Sequence, residues 1–209
     1  MSNALVLYTN PMSRGRIARW MLEEVGQPYH TDILDYGTTM KSPTYLAINP
    51  MGKVPALKHG DVVVTECAAI CTYLADVFPD SRLAPPPSHS DRGAYYRWMF
   101  FGAGPLEAAV TNKSLGFEIP PDQYQLQGRA GYGSLSRVLN TLDGALSGHD
   151  YLVGSQFSAA DLYISAQLGW GMQFGTVEKR PNFERYVALH HARTAAQMAA
   201  QIDDALMKA

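Results

Sequence analysis

Pro50-Met51-Gly52-Lys53-Val54-Pro55-Ala56-Leu57 and, ten residues after Pro55, Thr65-Glu66-Cys67-Ala68-Ala69-Ile70 are the stretch on which the reading of this chain turns. Val54–Lys58 reads as a strand, His59-Gly60-Asp61 as a hairpin turn, and Val62–Thr65 as the return strand. Glu66 then opens an apolar helix running to Val77, with Ala69, Ile70, Tyr73, Leu74 and Val77 on one face. An acid at a helix start sits beside backbone N–H groups that lack intrahelical partners, in a dipole field that favours anions.

On the N-terminal side, Ala4–Tyr8 is a short apolar run closed by Thr9-Asn10-Pro11, a strand and then a turn. From Ser13 to Gly26 the period changes: Ile17, Ala18, Met21, Leu22 and Val25 recur at helical spacing, and Gly26 supplies the stop. Pro28–Ile33 has strand-like alternation, so the segment to Ile33 is a βαβ unit with a right-handed crossover expected. On the C-terminal side, Pro85-Pro86-Pro87-Ser88 is stiff and extended and reads as a linker. Beyond it the strand signals cease, and Asp91–Val110, Tyr124–Ser147, Ser158–Phe174 and Asn182–Met207 each read as a helix. The expected fold is α/β plus all-α: residues 1–80 mixed, 81–88 linker, and 89–209 a helical bundle.

The 209 residues are 46% hydrophobic and 17% charged, enough for a buried core. A net charge of −2 offers no electrostatic footprint for nucleic acid or an anionic membrane. No apolar run approaches the roughly 18 residues of a membrane span. The opening Met1–Tyr8 lacks the basic and long apolar regions of a signal peptide, so a cytoplasmic location is expected. Cys67 and Cys71, four apart on one helix, are poorly placed for a disulfide, and no CxxC is present. The six histidines include His190-His191 but no HExxH spacing, so no metal site is expected.

Four stretches in order give the chain a family resemblance: Asn10-Pro11-Met12-Ser13, the Asn49–Leu57 segment, Glu66-Cys67-Ala68-Ala69-Ile70-Cys71-Thr72-Tyr73-Leu74, and Phe157-Ser158-Ala159-Ala160-Asp161. Together they resemble the cytosolic glutathione transferases over essentially the whole length. The resemblance implies a thioredoxin-like βαβββα domain, binding of glutathione as co-substrate, an electrophilic small molecule as second substrate, and a homodimer. It is nearest the bacterial theta- and beta-like branches with a serine-type site, since no tyrosine stands where the alpha, mu and pi classes place their catalytic hydroxyl. The fold also hosts glutathione-dependent isomerases, peroxidases and dehalogenases, and a binding protein without catalysis is the alternative from another class.

Residue by residue, the resemblance implies a cis Val54–Pro55 bond that turns the Val54 N–H and C=O outward at a sheet edge, to pair with the cysteinyl backbone of glutathione. Glu66 meets the γ-glutamyl ammonium and the Cys67 N–H its carboxylate. The family usually has serine at the Cys67 position, and a thiol is the weaker hydrogen-bonding group. Lys53 pairs with the glycine carboxylate, and Lys41 lies where some relatives carry another basic contact. Ser13 falls at the position of the theta-like catalytic serine, where a hydroxyl at a helix start would hold the sulfur as a thiolate; it also reads as an ordinary cap. A beta-class cysteine one position on is absent, the residue being Arg14, which with Arg16 reads as a solvated helix charge. Ser158-x-x-Asp161 reads as a capping box that serves folding. Phe100, Phe101, Tyr132, Trp170, Met172 and Phe174 are candidate co-substrate contacts.

Overall fold

β1 (Leu5–Thr9), α1 (Gly15–Val25) and β2 (Tyr29–Ile33) form the expected βαβ unit, with β1 and β2 parallel. The short α2 (Pro43–Leu46) follows, then the hairpin β3 (Ala56–His59) and β4 (Val62–Thr65), and α3 (Cys67–Val77). The four strands lie in the order β2-β1-β3-β4, with β3 antiparallel to both its neighbours. The computed structural model describes residues 4–120 and 122–208, so the first three residues of the N-terminal segment lie outside it.

Leu5, Leu7 and Thr9 are buried on one face of β1, and Ile17, Ala18, Met21, Leu22 and Val25 form the buried stripe of α1, as their spacing requires. Gly26 ends α1 in the left-handed region at φ 70°, where a side chain would be strained. In α3 the buried set is Cys67, Ile70, Cys71, Leu74 and Ala75, whereas Ala69 and Val77 are exposed. The apolar face is therefore turned from the one expected. Both cysteines act as small core hydrophobes, and counting them as such restores the i, i+3, i+4, i+7, i+8 pattern.

The chain divides into two compact units: one runs to Leu83 and resumes at Arg193, and the other spans Ala84–Ala192. The second unit is all-helical. It contains α4 (Arg92–Phe101), α5 (Glu107–Leu115), α6 (Tyr124–Arg129), α7 (Leu135–Leu146), α8 (Ala159–Gln173) and α9 (Pro181–His191). A π-helical turn, Gly102–Leu106, joins α4 to α5, so the helix expected to stop at Val110 continues to Leu115. The helix expected over Tyr124–Ser147 is broken between α6 and α7, with Gly133 at φ 69°. α8 is buried nearly all round from Ala159 to Ala166, the mark of a central helix.

At Gly102 a Cβ would lie 2.8 Å from the Tyr163 ring and 3.0 Å from Ile164 Cδ1, so the glycine is what allows the π-turn to meet α8. Gly102→Val is expected to cost about 1–3 kcal/mol by overpacking. An unchanged denaturation midpoint for this variant would show that the contact is not tight.

The helix expected over Asn182–Met207 is two helices. α9 ends at His191, Arg193 takes an extended conformation (ψ 141°), and α10 (Thr194–Leu206) packs on α1 in the first unit. The helical domain read as 89–209 thus gives its last helix to the other unit. The cause is polar as much as apolar. Asp203 is fully buried and its carboxylate accepts from Arg19 Nε at 2.8 Å. Arg193 forms a two-pronged pair with Glu24 at 2.6 and 2.7 Å, and Arg16 pairs with Asp204.

Candidate functional site

Strand register brings three loops to one end of the sheet. Tyr8 in β1 pairs with Ala56 in β3, and Ala56 pairs with Thr65 in β4. The Asn10–Arg14 segment, the Val54–Pro55 step and the Glu66–Cys67 step therefore leave the ladders side by side. Ser13, Val54, Pro55, Glu66 and Cys67 lie on these three segments, with Lys53 immediately before the second.

The Val54–Pro55 bond is cis. Val54 does not lie on an edge strand, however, because β3 is flanked by β1 and β4. Its backbone is open for another reason: β3 begins only at Ala56, and neither the N–H nor the C=O of Val54 has a hydrogen-bond partner among the described residues. Pro55 is buried and Val54 half-buried. The loop before them is braced from within. Tyr45 Oη and Asn49 Nδ2 donate to the Lys53 carbonyl at 2.5 and 2.8 Å, and the Met51 N–H donates to Asn49 Oδ1 at 3.1 Å. Burial pushes the Tyr45 phenol up to about 12, so it remains a donor.

Lys41 Nζ donates to the Gly52 carbonyl at 2.6 Å, and Gly52 itself sits at φ 56°, in the left-handed region that favours glycine. Lys41 is thus a brace of the loop, although like Lys53 it is exposed.

Glu66 precedes the first turn of α3 at φ 66°, ψ 119°, a region that costs a non-glycine residue about 1–3 kcal/mol. Its carbonyl accepts the Ile70 N–H at 2.9 Å, while its exposed side chain makes no capping bond. The first-turn N–H groups of α3 have no intrahelical partner. Cys67, 7% exposed, donates from Sγ to the Arg14 carbonyl at 3.6 Å, joining the start of α3 to the start of α1. A thiol in place of a hydroxyl here serves packing between two helix ends.

Ser13 is 6% exposed and lies just before α1. Its hydroxyl donates to the Asn10 carbonyl at 2.7 Å and accepts the Gly15 N–H at 2.9 Å. Arg14 is exposed, as expected. Arg16 is not a free helix charge: besides Asp204 it reaches the Pro11 carbonyl at 3.3 Å, tying the loop to α10.

Sequence reasoning passed over Tyr8. It lies half-buried at the end of β1, packs against the cluster of Leu34, Met40, Tyr45 and Ala56 with its ring centroid 5.7 Å from that of Tyr45, and no hydrogen bond to its hydroxyl is formed among the described residues. Burial, reinforced by Asp32, raises its pKa, so it is a neutral O–H at physiological pH. Its place in the second-last position of the first strand was the available signal. Among the described residues no cluster of three or more His, Cys, Asp or Glu could hold a metal ion, and no helix is long and apolar enough to cross a membrane.

Comparison with known proteins bears on the whole chain. Residues 12–77 match the glutathione S-transferase N-terminal domain family, and residues 123–192 the C-terminal domain family. Glutathione S-transferase GST-4.5 of Xanthomonas campestris is 30% identical over 81% of this chain and 83% of its own length. Elongation factor 1-gamma of Prunus avium is 30% identical over 73% of this chain, which spans only 37% of that longer protein. A sphingomonad glutathione S-transferase complexed with glutathione superposes with a TM-score of 0.78 at 27% identity, covering 95% of this chain and 98% of the other. With a relative of that similarity along most of both chains, and a family match in each half, this protein belongs to the glutathione S-transferase family.

Proposed function

We propose that the protein binds reduced glutathione and directs its sulfur, as thiolate, at an electrophilic small molecule, forming a sulfur–carbon bond. The observation that carries this reading is the open Val54 backbone at the sheet end where α3 begins, its first-turn N–H groups having no intrahelical partner. An extended peptide can pair with Val54, and a carboxylate can dock on α3. Glu66 then meets the peptide's ammonium, the Cys67 N–H its α-carboxylate, and Lys53 its distal carboxylate. The glutathione complex of the sphingomonad relative supports the choice of peptide. Family resemblance further supports a homodimer, a cytoplasmic location and a part in detoxification.

Ser13 is the proposed donor to the sulfur, at the start of α1. Its oxygen already accepts the Gly15 N–H, which sharpens its hydroxyl as a donor, and it would exchange the Asn10 carbonyl for the thiolate. The unengaged hydroxyl of Tyr8 favours a second assignment, in which Tyr8 donates and Ser13 shapes the turn. Thiolate absorbance of the bound peptide against pH separates them. Ser13→Ala is expected to raise the sulfur pKa by about 1–2 units, the worth of a hydrogen bond to a charged group, with Tyr8→Phe leaving it in place. The reverse pattern assigns the donor to Tyr8. Failure of the protein to be retained on immobilised glutathione, with no thiolate signal near neutral pH, rules out the transferase reading as a whole.

Similarity to elongation factor 1-gamma favours a rival reading, a glutathione transferase-like module without turnover. Retention on glutathione without consumption of any electrophile across conjugation, isomerase, peroxidase and dehalogenase assays would establish it.

A further inference from the structure

α10 is fastened along the length of α1, and the fastening ends on the loop that carries Ser13. Arg193 grips Glu24 in the last turn of α1 with two bonds, and the buried Arg19–Asp203 pair sits at mid-helix. At the first turn the link is Arg16, whose planar fork serves two directions. Its Nη2 pairs with Asp204 and reaches the Ala200 carbonyl at 3.5 Å, both on α10. Its Nη1 donates to the Pro11 carbonyl at 3.3 Å, with Met207 Sδ at 3.9 Å.

The Pro11 carbonyl accepts no other hydrogen bond among the described residues. It shares one rigid peptide plane with the Met12 N–H, and that N–H donates to Asn10 Oδ1 at 2.9 Å. The plane is thus held at both edges, one by its own loop and one by α10 through Arg16. Ser13 follows directly. Its N–H and its hydroxyl both donate to the Asn10 carbonyl, at 3.1 and 2.7 Å, so its side chain takes its direction from this turn. Space on the inner side is already filled, since a Cβ on Gly15 would lie 1.8 Å from Thr9 Oγ1 and 3.0 Å from Ser13 Oγ.

With Ser13 taken as the donor to the glutathione sulfur, an assignment that rests on the proposed transferase function, we propose that Arg16 is a positioning residue for the Ser13 hydroxyl. It clamps the Pro11–Met12 peptide to α10 and so makes the last helix of the chain part of the active-site support. Asp204 orients the guanidinium; because this carboxylate is half exposed, the pair adds little to stability on its own. A lysine at position 16 keeps the charge but has no planar fork to hold the loop and α10 together. Without Arg16, α10 retains its two other anchors, Arg19–Asp203 and Arg193–Glu24.

The test is the ultraviolet absorbance of the bound glutathione thiolate against pH, read on the full-length protein. Arg16→Lys and Asp204→Asn are each expected to raise the sulfur pKa by about 0.5–1 unit, less than the loss of Ser13 itself, because the hydrogen bond is misaligned and not removed. Glutathione affinity, circular dichroism and melting temperature are expected to stay close to the parent's. Action through charge alone gives a different pattern: no change for Arg16→Lys, and a lower pKa for Asp204→Asn, which removes a negative charge. Arg16→Lys added to Ser13→Ala is expected to raise the pKa no further than Ser13→Ala does. A parental or lowered pKa in either folded single variant, or full additivity with Ser13→Ala, overturns the proposal while glutathione binding and the thiolate signal persist. An unmoved pKa in Ser13→Ala itself overturns it as well. No retention on immobilised glutathione and no thiolate signal in the parent protein refutes the transferase reading and the proposal together.

Discussion

Asp161→Ala is expected to destabilise the protein by about 3–5 kcal/mol, measured as a fall in the denaturation midpoint at unchanged slope. Asp161 is fully buried, and its two oxygens accept four donors. Oδ1 takes the Leu152 N–H and Tyr186 Oη–H, each at 2.7 Å; Oδ2 takes the Ser158 N–H at 2.9 Å and Ser158 Oγ–H at 2.8 Å. Burial pushes the carboxyl pKa up while each of these donors pulls it down. Truncation leaves the donors facing a cavity, and each buried donor left unsatisfied costs about 1–3 kcal/mol. Asp161→Asn keeps one acceptor oxygen and is expected to lose less, and Tyr186→Phe less again because only one bond disappears. A loss under 1 kcal/mol for Asp161→Ala would mean that water replaces the carboxylate and that α8 does not depend on this network.

Glu66→Ala is expected to weaken glutathione binding by about tenfold to a hundredfold, the range set by one hydrogen bond between charged groups. The strained backbone permits a sharper version of this test. Glycine tolerates positive φ better than a residue with a Cβ, so Glu66→Gly is expected to be at least as stable as the alanine variant while losing the same affinity. Such a split separates the carboxylate's contribution from any contribution to folding. Glutathione affinity that stays at the parental level in both variants would remove Glu66 from the peptide site. A fall in stability for Glu66→Gly below the alanine variant would show that the residue's backbone strain is not what the local geometry indicates.

Much of the first unit is legible because its signals are local. The period of Ile17, Ala18, Met21, Leu22 and Val25, the stop at Gly26 and the Gly60 turn each depend on a few neighbouring residues, and each element appears within two residues of its expected place. The break between α9 and α10 was illegible. His190–Thr194 contains neither glycine nor proline, and the break follows from Arg193 and Asp203 finding partners on α1, far away in sequence. The same holds for Arg16, which reads as a surface charge until Asp204 is brought to it. In α3 the error was one of chemistry, the cysteines being core residues that periodicity passed over.

In the candidate site, the residue types around Val54–Pro55 and Glu66–Cys67 could be named from the chain alone, because backbone openings at a proline step and at a helix start are local properties. What each side chain does could not. Whether Lys41 faces a ligand or braces Gly52, whether the Cys67 thiol meets a carboxylate or the Arg14 carbonyl, and whether the free hydroxyl belongs to Ser13 or Tyr8 all depend on atoms brought together by strand register. Pattern and propensity, which act over a few residues, determined the order of elements and the two-part character of the protein. Only tertiary structure decided which donors and acceptors are already spent, since a hydrogen bond's partner is chosen by proximity in space and not along the chain.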